Sequence, residues 1–139
     1  MIERLYEASQ AGVKIDLIVR GICCLIPGRK FSRNIRVTRI VDTFLEHARV
    51  WYFGNGGKPK LFLGSPDWMR RNLYRRIEAV TPILDPDLKR ELSDMLSIQL
   101  SDKRKACFVD DHLRNRWKSA RPQKEKIRSQ YTFYEYLKN

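Results

Sequence analysis

The stretch "EHARVWYFGNGGKPKLFLG", residues 46–64, predicts the local architecture at the centre of the chain. Two runs rich in strand-forming residues, "ARVWYF" and "KLFLG", flank the turn sequence "GNGGKP". Asparagine and glycine adopt positive φ angles at little cost, so Asn55-Gly56-Gly57 favours a tight turn between antiparallel strands. The turn resembles a phosphate-binding loop, but neither a helix signal nor Gly-Lys-Ser/Thr follows it. A β-hairpin is therefore expected over residues 48–64.

Upstream of the hairpin, the hydrophobic pattern alternates between helical and extended periods. Residues 2–11 are predicted to form a helix that ends at Gly12. The run "KIDLIVRGI", residues 14–22, predicts a strand buried on both faces, and "CLIPGRKFSRN" predicts a loop. The next segment is predicted to be an amphipathic helix, because its apolar residues recur at helical spacing: Val37, Ile40, Val41, Phe44 and Leu45.

Downstream, a strand is predicted within residues 75–84, and Asp85-Pro86-Asp87 is a typical start of a helix. Residues 105–110 predict a short strand. Residues 111–139 are interpreted as a basic C-terminal extension, polar and poorly patterned until a short helix at its end. The alternation of elements predicts an α/β fold in which a mixed β-sheet is flanked by helices.

Composition narrows the class of protein. A chain of 139 residues with 42% hydrophobic content can form a single domain with a core. The longest apolar run contains Asp16 and Arg20 and is too short to span a bilayer, so no membrane span is expected. The three cysteines include the adjacent Cys23-Cys24, a spacing that suits neither disulfides nor zinc, and we treat them as small hydrophobic residues of a reducing, cytoplasmic compartment.

The charge points to a polyanionic partner. Lys and Arg number 28 against 16 Asp and Glu, which gives a net charge of +12. Much of the surplus lies in two blocks, "GRKFSRNIRVTR" and "RRNLYRR". The guanidinium fork of arginine binds pairs of phosphate oxygens, so a phosphate-rich ligand is favoured over a merely basic surface.

His47 and Arg49 are the first candidates for chemistry. Side chains two residues apart in a strand share a face, so a strand that starts at His47 would place the two together. A neutral imidazole can accept or donate a proton, and a neighbouring guanidinium favours that neutral form while binding phosphate. From residue types alone, the alternative of a partly exposed histidine at a helix-to-strand corner stays open. His112, near Asp110 and Asp111, is interpreted as a solvated side chain.

Arg20 is a second candidate, because an arginine at the end of a buried strand needs a partner. That partner is either a phosphate or a carboxylate, for which Asp16, Asp42 and Glu46 are available. Glu78, within "RRIE", is expected to pair with an arginine.

Three long segments in the same order resemble the C-terminal part of bacterial polyphosphate kinase of the phosphohistidine type. They are "KIDLIVRGICCL", "NIRVTRIVDTFLEHARVWYF" and "GNGGKPKLFLGSPDWMRRNLYRRIEAVTPIL", with a looser continuation through "IRSQYTFYEYLKN". The resemblance implies a phospholipase D-like unit. It also implies reversible transfer of the terminal phosphate of ATP to a polyphosphate chain through a phosphohistidine on an upstream domain.

By this resemblance, Arg20 in "IVRG" binds ATP phosphates, and His47 in "FLEHAR" is a catalytic and ATP-binding residue. The arginine blocks, with Arg49, Arg70, Arg71 and Arg75, would bind polyphosphate. The expected partners are polyphosphate, ATP and ADP, the upstream domains of the same enzyme, and further copies in a homo-oligomer. Mg2+ would be held by residues outside this chain, so no metal ligand is assigned within it.

The resemblance begins inside the family's sequence, so residues 1–139 are interpreted as a partial, N-terminally truncated catalytic domain that is inactive by itself. The protein would act in the cytoplasm, with association at the inner face of the membrane also expected. Two alternatives remain: a non-catalytic basic module that binds polyphosphate or RNA, and a phosphodiesterase of the phospholipase D type. The second is disfavoured, because Arg49 stands where His-x-Lys is expected and Trp68 follows Gly64-Ser65 where asparagine is expected.

Overall fold

The computed structural model describes residues 1–119 and 127–138, which form two compact units. One unit contains Met1–Leu45 together with the described residues from Ser97 onward, and the other is Glu46–Leu96. The second unit is therefore inserted between two segments of the first.

The described residues contain seven strands and four α-helices. The strands are β1 (Ile15–Ile18), β2 (Ile35–Ile40), β3 (Val50–Phe53), β4 (Lys60–Gly64), β5 (Val80–Ile83), β6 (Ala106–Val109) and β7 (Asn115–Trp117). The helices are α1 (Ile2–Gln10), α2 (Arg70–Arg75), α3 (Pro86–Ser101) and α4 (Ser129–Lys138). Two sheets, rather than one, result from this set: β1-β2-β6-β7 and β3-β4-β5.

The four-stranded sheet of the first unit is mixed. β1 runs parallel to β2, whereas the pairs β2–β6 and β6–β7 are antiparallel. Its core consists of Leu25, Ile35, Val37 and Val109, and α1 packs Ile2, Leu5 and Tyr6 against it. The predicted helix at residues 2–11 is confirmed, because the helical spacing places these apolar side chains on one face.

The helix predicted from Val37 to Leu45 is wrong, since Ile35–Ile40 is the central strand β2. Val37 and Thr38 point to opposite faces of the sheet, yet each is only 1% exposed. Burial on both faces removes the alternation typical of a strand, and the remaining pattern matches a helical period. β1 is confirmed as a strand, but it lies at the sheet edge and is half-buried rather than buried on both faces.

The hairpin that the sequence predicted is confirmed in the second unit. β3 and β4 pair antiparallel from Val50 opposite Leu63 to Phe53 opposite Lys60, and β5 extends the sheet. Gly56 and Gly57 have φ angles of 60° and 86° in the turn, values that favour glycine.

The sequence predicts α3, which begins in the second unit, better than it predicts α2. α3 starts as expected, with the Asp85 carboxylate accepting hydrogen bonds from the N–H groups of Asp87 and Leu88. The six-residue helix α2 was not predicted.

Buried carboxylates organise the C-terminal part of the first unit. Asp102, 0% exposed, accepts hydrogen bonds from the backbone N–H groups of Ala106, at the start of β6, and Ser129, at the start of α4. Asp42 forms a 2.6 Å ion pair with Arg128. The short helix predicted near the C-terminus is confirmed as α4, and β7 is a strand that the pattern of residues 111–139 did not predict.

No helix within residues 1–119 and 127–138 is long and apolar enough to cross a membrane.

Replacing Gly64 by alanine should destabilise the second unit by about 1–3 kcal/mol, because overpacking strains a filled space. A Cβ at Gly64 would lie 2.6 Å from Cζ3 of Trp51 and 2.9 Å from the carbonyl oxygen of Ala79. Gly54→Ala is the matched control, since nothing lies within 4 Å of its Cβ position. Thermal unfolding of both variants measures the effect, and equal melting temperatures would contradict the predicted clash.

Candidate active site

Polar residues collect at one edge of the three-stranded sheet, where β4 ends and β3 and β5 begin. Two backbone hydrogen bonds hold this edge together: Gly64 N–H donates to Arg49 C=O at 3.1 Å, and Ser65 N–H donates to Ala79 C=O at 3.0 Å. The residues that lead into β3, leave β4 and lead into β5 are therefore neighbours. His47 belongs to the first of these segments.

His47 and Arg49 are in contact, as the sequence predicted. An Nη1 hydrogen of Arg49 points to Nδ1 of His47 at 2.7 Å, and Nη1 also donates to the His47 carbonyl at 2.9 Å. The other side of the guanidinium donates through Nε and Nη2 to Oδ1 of Asp67, at 3.1 and 2.9 Å. The imidazole itself is exposed to solvent. Arg49 thus bridges a histidine that precedes β3 and a carboxylate that follows β4.

A second network lies beside the first. Glu78 accepts a hydrogen bond from the Ser65 hydroxyl and another, at 2.7 Å, from the Asn72 amide. The Ser65 hydroxyl, followed by the Asn72 amide, holds the pKa of Glu78 below its usual value. Arg76 and Arg49 lower the pKa of Glu78 further through their charge, so the expected arginine pairing is electrostatic, and the direct hydrogen bonds come from Ser65 and Asn72. Asn72 is only 3% exposed, so α2 is fixed to this edge by a buried side chain.

The arginine block of α2 faces solvent. Arg70, Arg71 and Arg75 are all exposed, and no described carboxylate lies within the 4.0 Å of an ion pair from any of them. Tyr74, on the same short helix, is 80% exposed. Three adjacent cations without acidic partners among the described residues make a surface that favours phosphate groups.

Arg20 lies in the other unit, exposed, two residues beyond the end of β1. Of the carboxylates considered as its partner, Asp42 is engaged by Arg128 and by Lys105, at 2.6 and 3.9 Å. The side chain of His112 is 61% exposed and lies 3.8 Å from Asp111, which confirms it as a solvated residue.

The described residues do not offer a donor set for a metal ion. Within the two ranges 1–119 and 127–138, no three His, Cys, Asp or Glu side chains come together.

A sequence model of the family described as polyphosphate kinase C-terminal domain 2 matches residues 1–130. The chain belongs to this family. Among curated relatives, the polyphosphate kinase of Escherichia coli (strain K12) is 47% identical over 140 aligned positions, covering 100% of this chain and 20% of the relative. The polyphosphate kinase of Synechocystis is 58% identical over 107 residues, 76% of this chain and 15% of the relative.

A solved structure leads to the same family. The crystal structure of polyphosphate kinase from Porphyromonas gingivalis matches with a TM-score of 0.94 and 58% identity, over 99% of this chain and 21% of that chain. The resemblance to the polyphosphate kinase C-terminal domain is thus confirmed, as is the α/β, phospholipase D-like fold. This chain spans about a fifth of the length of these relatives.

Sequence reasoning missed Asp67 at this edge of the polyphosphate kinase domain, and it missed the hydrogen bonds of Glu78 to Ser65 and Asn72. A usable signal existed for Asp67: it lies three residues after the end of an apolar strand, in "KLFLGSPD", where polar side chains commonly serve a site. The pairing of Asp67 with Arg49 across 18 positions depends on the hairpin register and could not be read from spacing.

Proposed function

We propose that this chain is part of a polyphosphate kinase that reversibly transfers the terminal phosphate of ATP to a polyphosphate chain. Residues 1–139 act as a partial C-terminal catalytic domain, with residues 111–139 as its basic C-terminal extension. The phosphohistidine of this mechanism belongs to domains upstream of these residues. The observation that carries the proposal is the exposed His47, fixed by Arg49 at a sheet edge, in a chain that matches a polyphosphate kinase with a TM-score of 0.94.

His47 and Arg20 are the proposed ATP-binding residues, and His47 is also the proposed catalytic residue. In phosphoryl transfer, charge accumulates on the oxygens of the transferred group, and fixed hydrogen-bond donors and cations stabilise it. Arg20 offers a guanidinium fork that suits pairs of phosphate oxygens, and His47 offers Nε2 of a ring whose Nδ1 is in contact with Arg49. These two chemistries suit the phosphates of a nucleotide.

The proposed partners follow from the reaction. ATP and ADP are exchanged with polyphosphate, and the upstream domains supply the phosphohistidine together with any Mg2+ ligands. We propose the cytoplasm as the site of action. Assembly into a homo-oligomer and contact with the inner membrane face remain part of the proposal.

Reconstitution tests the proposed function. This chain replaces the corresponding C-terminal segment of the E. coli polyphosphate kinase, to which it is 47% identical, and ATP-dependent synthesis of polyphosphate is followed. The chimaera should synthesise polyphosphate, whereas neither this chain alone nor the truncated E. coli protein should. A chimaera that folds but makes no polyphosphate would refute the assignment.

The exposed arginines and Tyr74 also support a second candidate, a basic module that binds polyphosphate or RNA without catalysis. An aromatic ring that is 80% exposed among cations can stack on a base, which polyphosphate does not require. Competition separates the two candidates. RNA that displaces polyphosphate from this chain at equal charge would favour the general module, and a strong preference for polyphosphate would favour the kinase.

The double variant Arg71→Gln/Arg75→Gln should weaken binding of polyphosphate by this chain. The binding constant falls as salt rises, and the double variant should make this dependence shallower. The slope of its logarithm against the logarithm of the salt concentration should shrink in magnitude by about one to two, since each lost phosphate contact removes roughly one unit. Arg4→Gln/Arg90→Gln removes the same net charge from exposed residues that are ion-paired with Glu7 and Asp87, and it should have a smaller effect. Titrations at several salt concentrations measure both. Equal losses would show that only net charge matters.

A further inference from the structure

The guanidinium of Arg49 is largely occupied within the protein. Its five N–H groups make four hydrogen bonds: two to Asp67 Oδ1, one to the His47 carbonyl and one to His47 Nδ1. The side chain of Arg49 is only 20% exposed. A polyphosphate oxygen would have to displace these contacts to bind Arg49. Arg49 therefore differs from the exposed arginines on α2, with which the family resemblance groups it as a polyphosphate-binding residue.

The contact at Nδ1 determines where the proton of His47 lies. A guanidinium can only donate hydrogen bonds, so Nδ1 of His47 must offer its lone pair to Arg49. An imidazole with a lone pair on Nδ1 is neutral and carries its proton on Nε2. The described part of the chain places no hydrogen-bond partner on Nε2, and the ring is exposed. His47 thus presents an Nε2–H group to solvent.

We propose that Arg49 is a positioning residue that, anchored by Asp67, holds His47 as a neutral hydrogen-bond donor to a phosphate oxygen of the nucleotide. This inference rests on the proposed function and refines the role of His47 within it. A neutral donor stabilises charge on the phosphate without losing its proton, because loss would leave a high-energy imidazolate. The same arrangement prevents His47 from accepting a phosphoryl group. Nδ1 is covered by Arg49, and Nε2 is protonated.

The charged fork of Arg49 suits this role better than a lysine would. Two of its nitrogens bind one oxygen of Asp67, which fixes the plane of the guanidinium, while the third nitrogen spans the backbone and ring of His47. A lysine ammonium is a single point of donation and cannot make both sets of contacts in one plane. Arg49→Lys preserves the charge and should lose most of the positioning.

Nitrogen-15 NMR of this chain tests the tautomer directly. At about pH 8, where histidines are mostly neutral, Nδ1 of His47 should have the shift of an unprotonated nitrogen and Nε2 that of a protonated one. Arg49→Ala and the nearly isosteric Asp67→Asn should each shift His47 towards a mixture of tautomers. The resonances of His112 provide an internal control. His112 lies beside Asp111 rather than Arg49, so its tautomers should be the same in both variants. Amide resonances of the hairpin report whether each variant is folded.

Kinetics of the chimaera test the consequence. Arg49→Ala and Arg49→Lys should each lower kcat by about 100-fold, the scale of a misplaced catalytic group, with KM for polyphosphate changed by about twofold or less. An unchanged tautomer in Arg49→Ala, or a raised KM with kcat intact, would overturn the inference. If native His47 has the Nε2–H tautomer but the native chimaera makes no polyphosphate, the proposed function fails and the positioning contact stands.

Discussion

Replacing His47 with alanine should lower polyphosphate synthesis by the reconstituted protein by about 100- to 1000-fold, the usual effect of removing one fixed hydrogen-bond donor from a transition state. The imidazole is exposed and makes its only described side-chain contact with Arg49, so its loss should leave the hairpin folded. Synthesis from ATP and the reverse formation of ATP from ADP should fall by the same factor, because the substitution leaves the equilibrium constant of the overall reaction unchanged.

His112→Ala is the matched control for this experiment. It removes the other histidine of the chain, whose side chain is 61% exposed, and it should leave the rate unchanged. Full synthesis by the His47→Ala protein would show that His47 is not catalytic. The chain would then be better described as a basic scaffold around polyphosphate.

Asp102→Ala is expected to cost roughly 3 kcal/mol or more of unfolding free energy, because it leaves buried N–H groups without acceptors. The Asp102 carboxylate accepts hydrogen bonds from the backbone N–H groups of Arg104, Lys105 and Ala106, which lead into β6, and of Ser129 at the start of α4. Since small proteins unfold at a cost of only about 5–15 kcal/mol, the loss should be large in a urea titration followed by circular dichroism. Asp87→Asn, at a side chain that is 76% exposed, should change stability little.

The carboxylate of Asp102 also makes the free energy of unfolding depend on pH. Burial alone would raise the pKa of Asp102, but hydrogen bonds from the backbone N–H groups of Ser129 and Lys105 outweigh it and lower the pKa below 3.8. A carboxyl whose pKa is lower in the folded state stabilises the protein above its unfolded pKa, and this contribution is lost as the pH falls through the folded value. Stability should thus decline below about pH 4, and Asp102→Asn should flatten that decline. An unchanged pH profile in the variant would contradict the assignment.

The local elements of the second unit were predictable because their signals are local. The hairpin depends on Asn55, Gly56 and Gly57 between two strand-forming runs, and α3 on the capping oxygen of Asp85. Both signals act over a few residues. The neighbourhood of His47 and Arg49 was predicted for the same reason, although β3 begins only at Val50.

The features that the sequence did not predict depend on pairing between residues distant in the chain. Val37 and Ile40 lie on opposite faces of a central strand, and both faces are covered, so their spacing matched a helix. β7 has no apolar alternation, because Asn115, Arg116 and Trp117 are all exposed at the edge of the sheet. The division into two sheets and the partner of Arg49 likewise depend on register, which is set by contacts distant in sequence.

The insertion of one unit inside the other has a consequence for biosynthesis. All strand pairs of the second unit lie within residues 50–83, so its sheet can form on the ribosome as soon as this stretch has emerged. The first unit must wait, because β2 pairs with β6 across more than 60 residues and Asp42 binds Arg128 near the end of the chain. Folding during translation should therefore proceed from the inner unit to the outer one. The three-stranded sheet should form before β6 completes the sheet of the first unit.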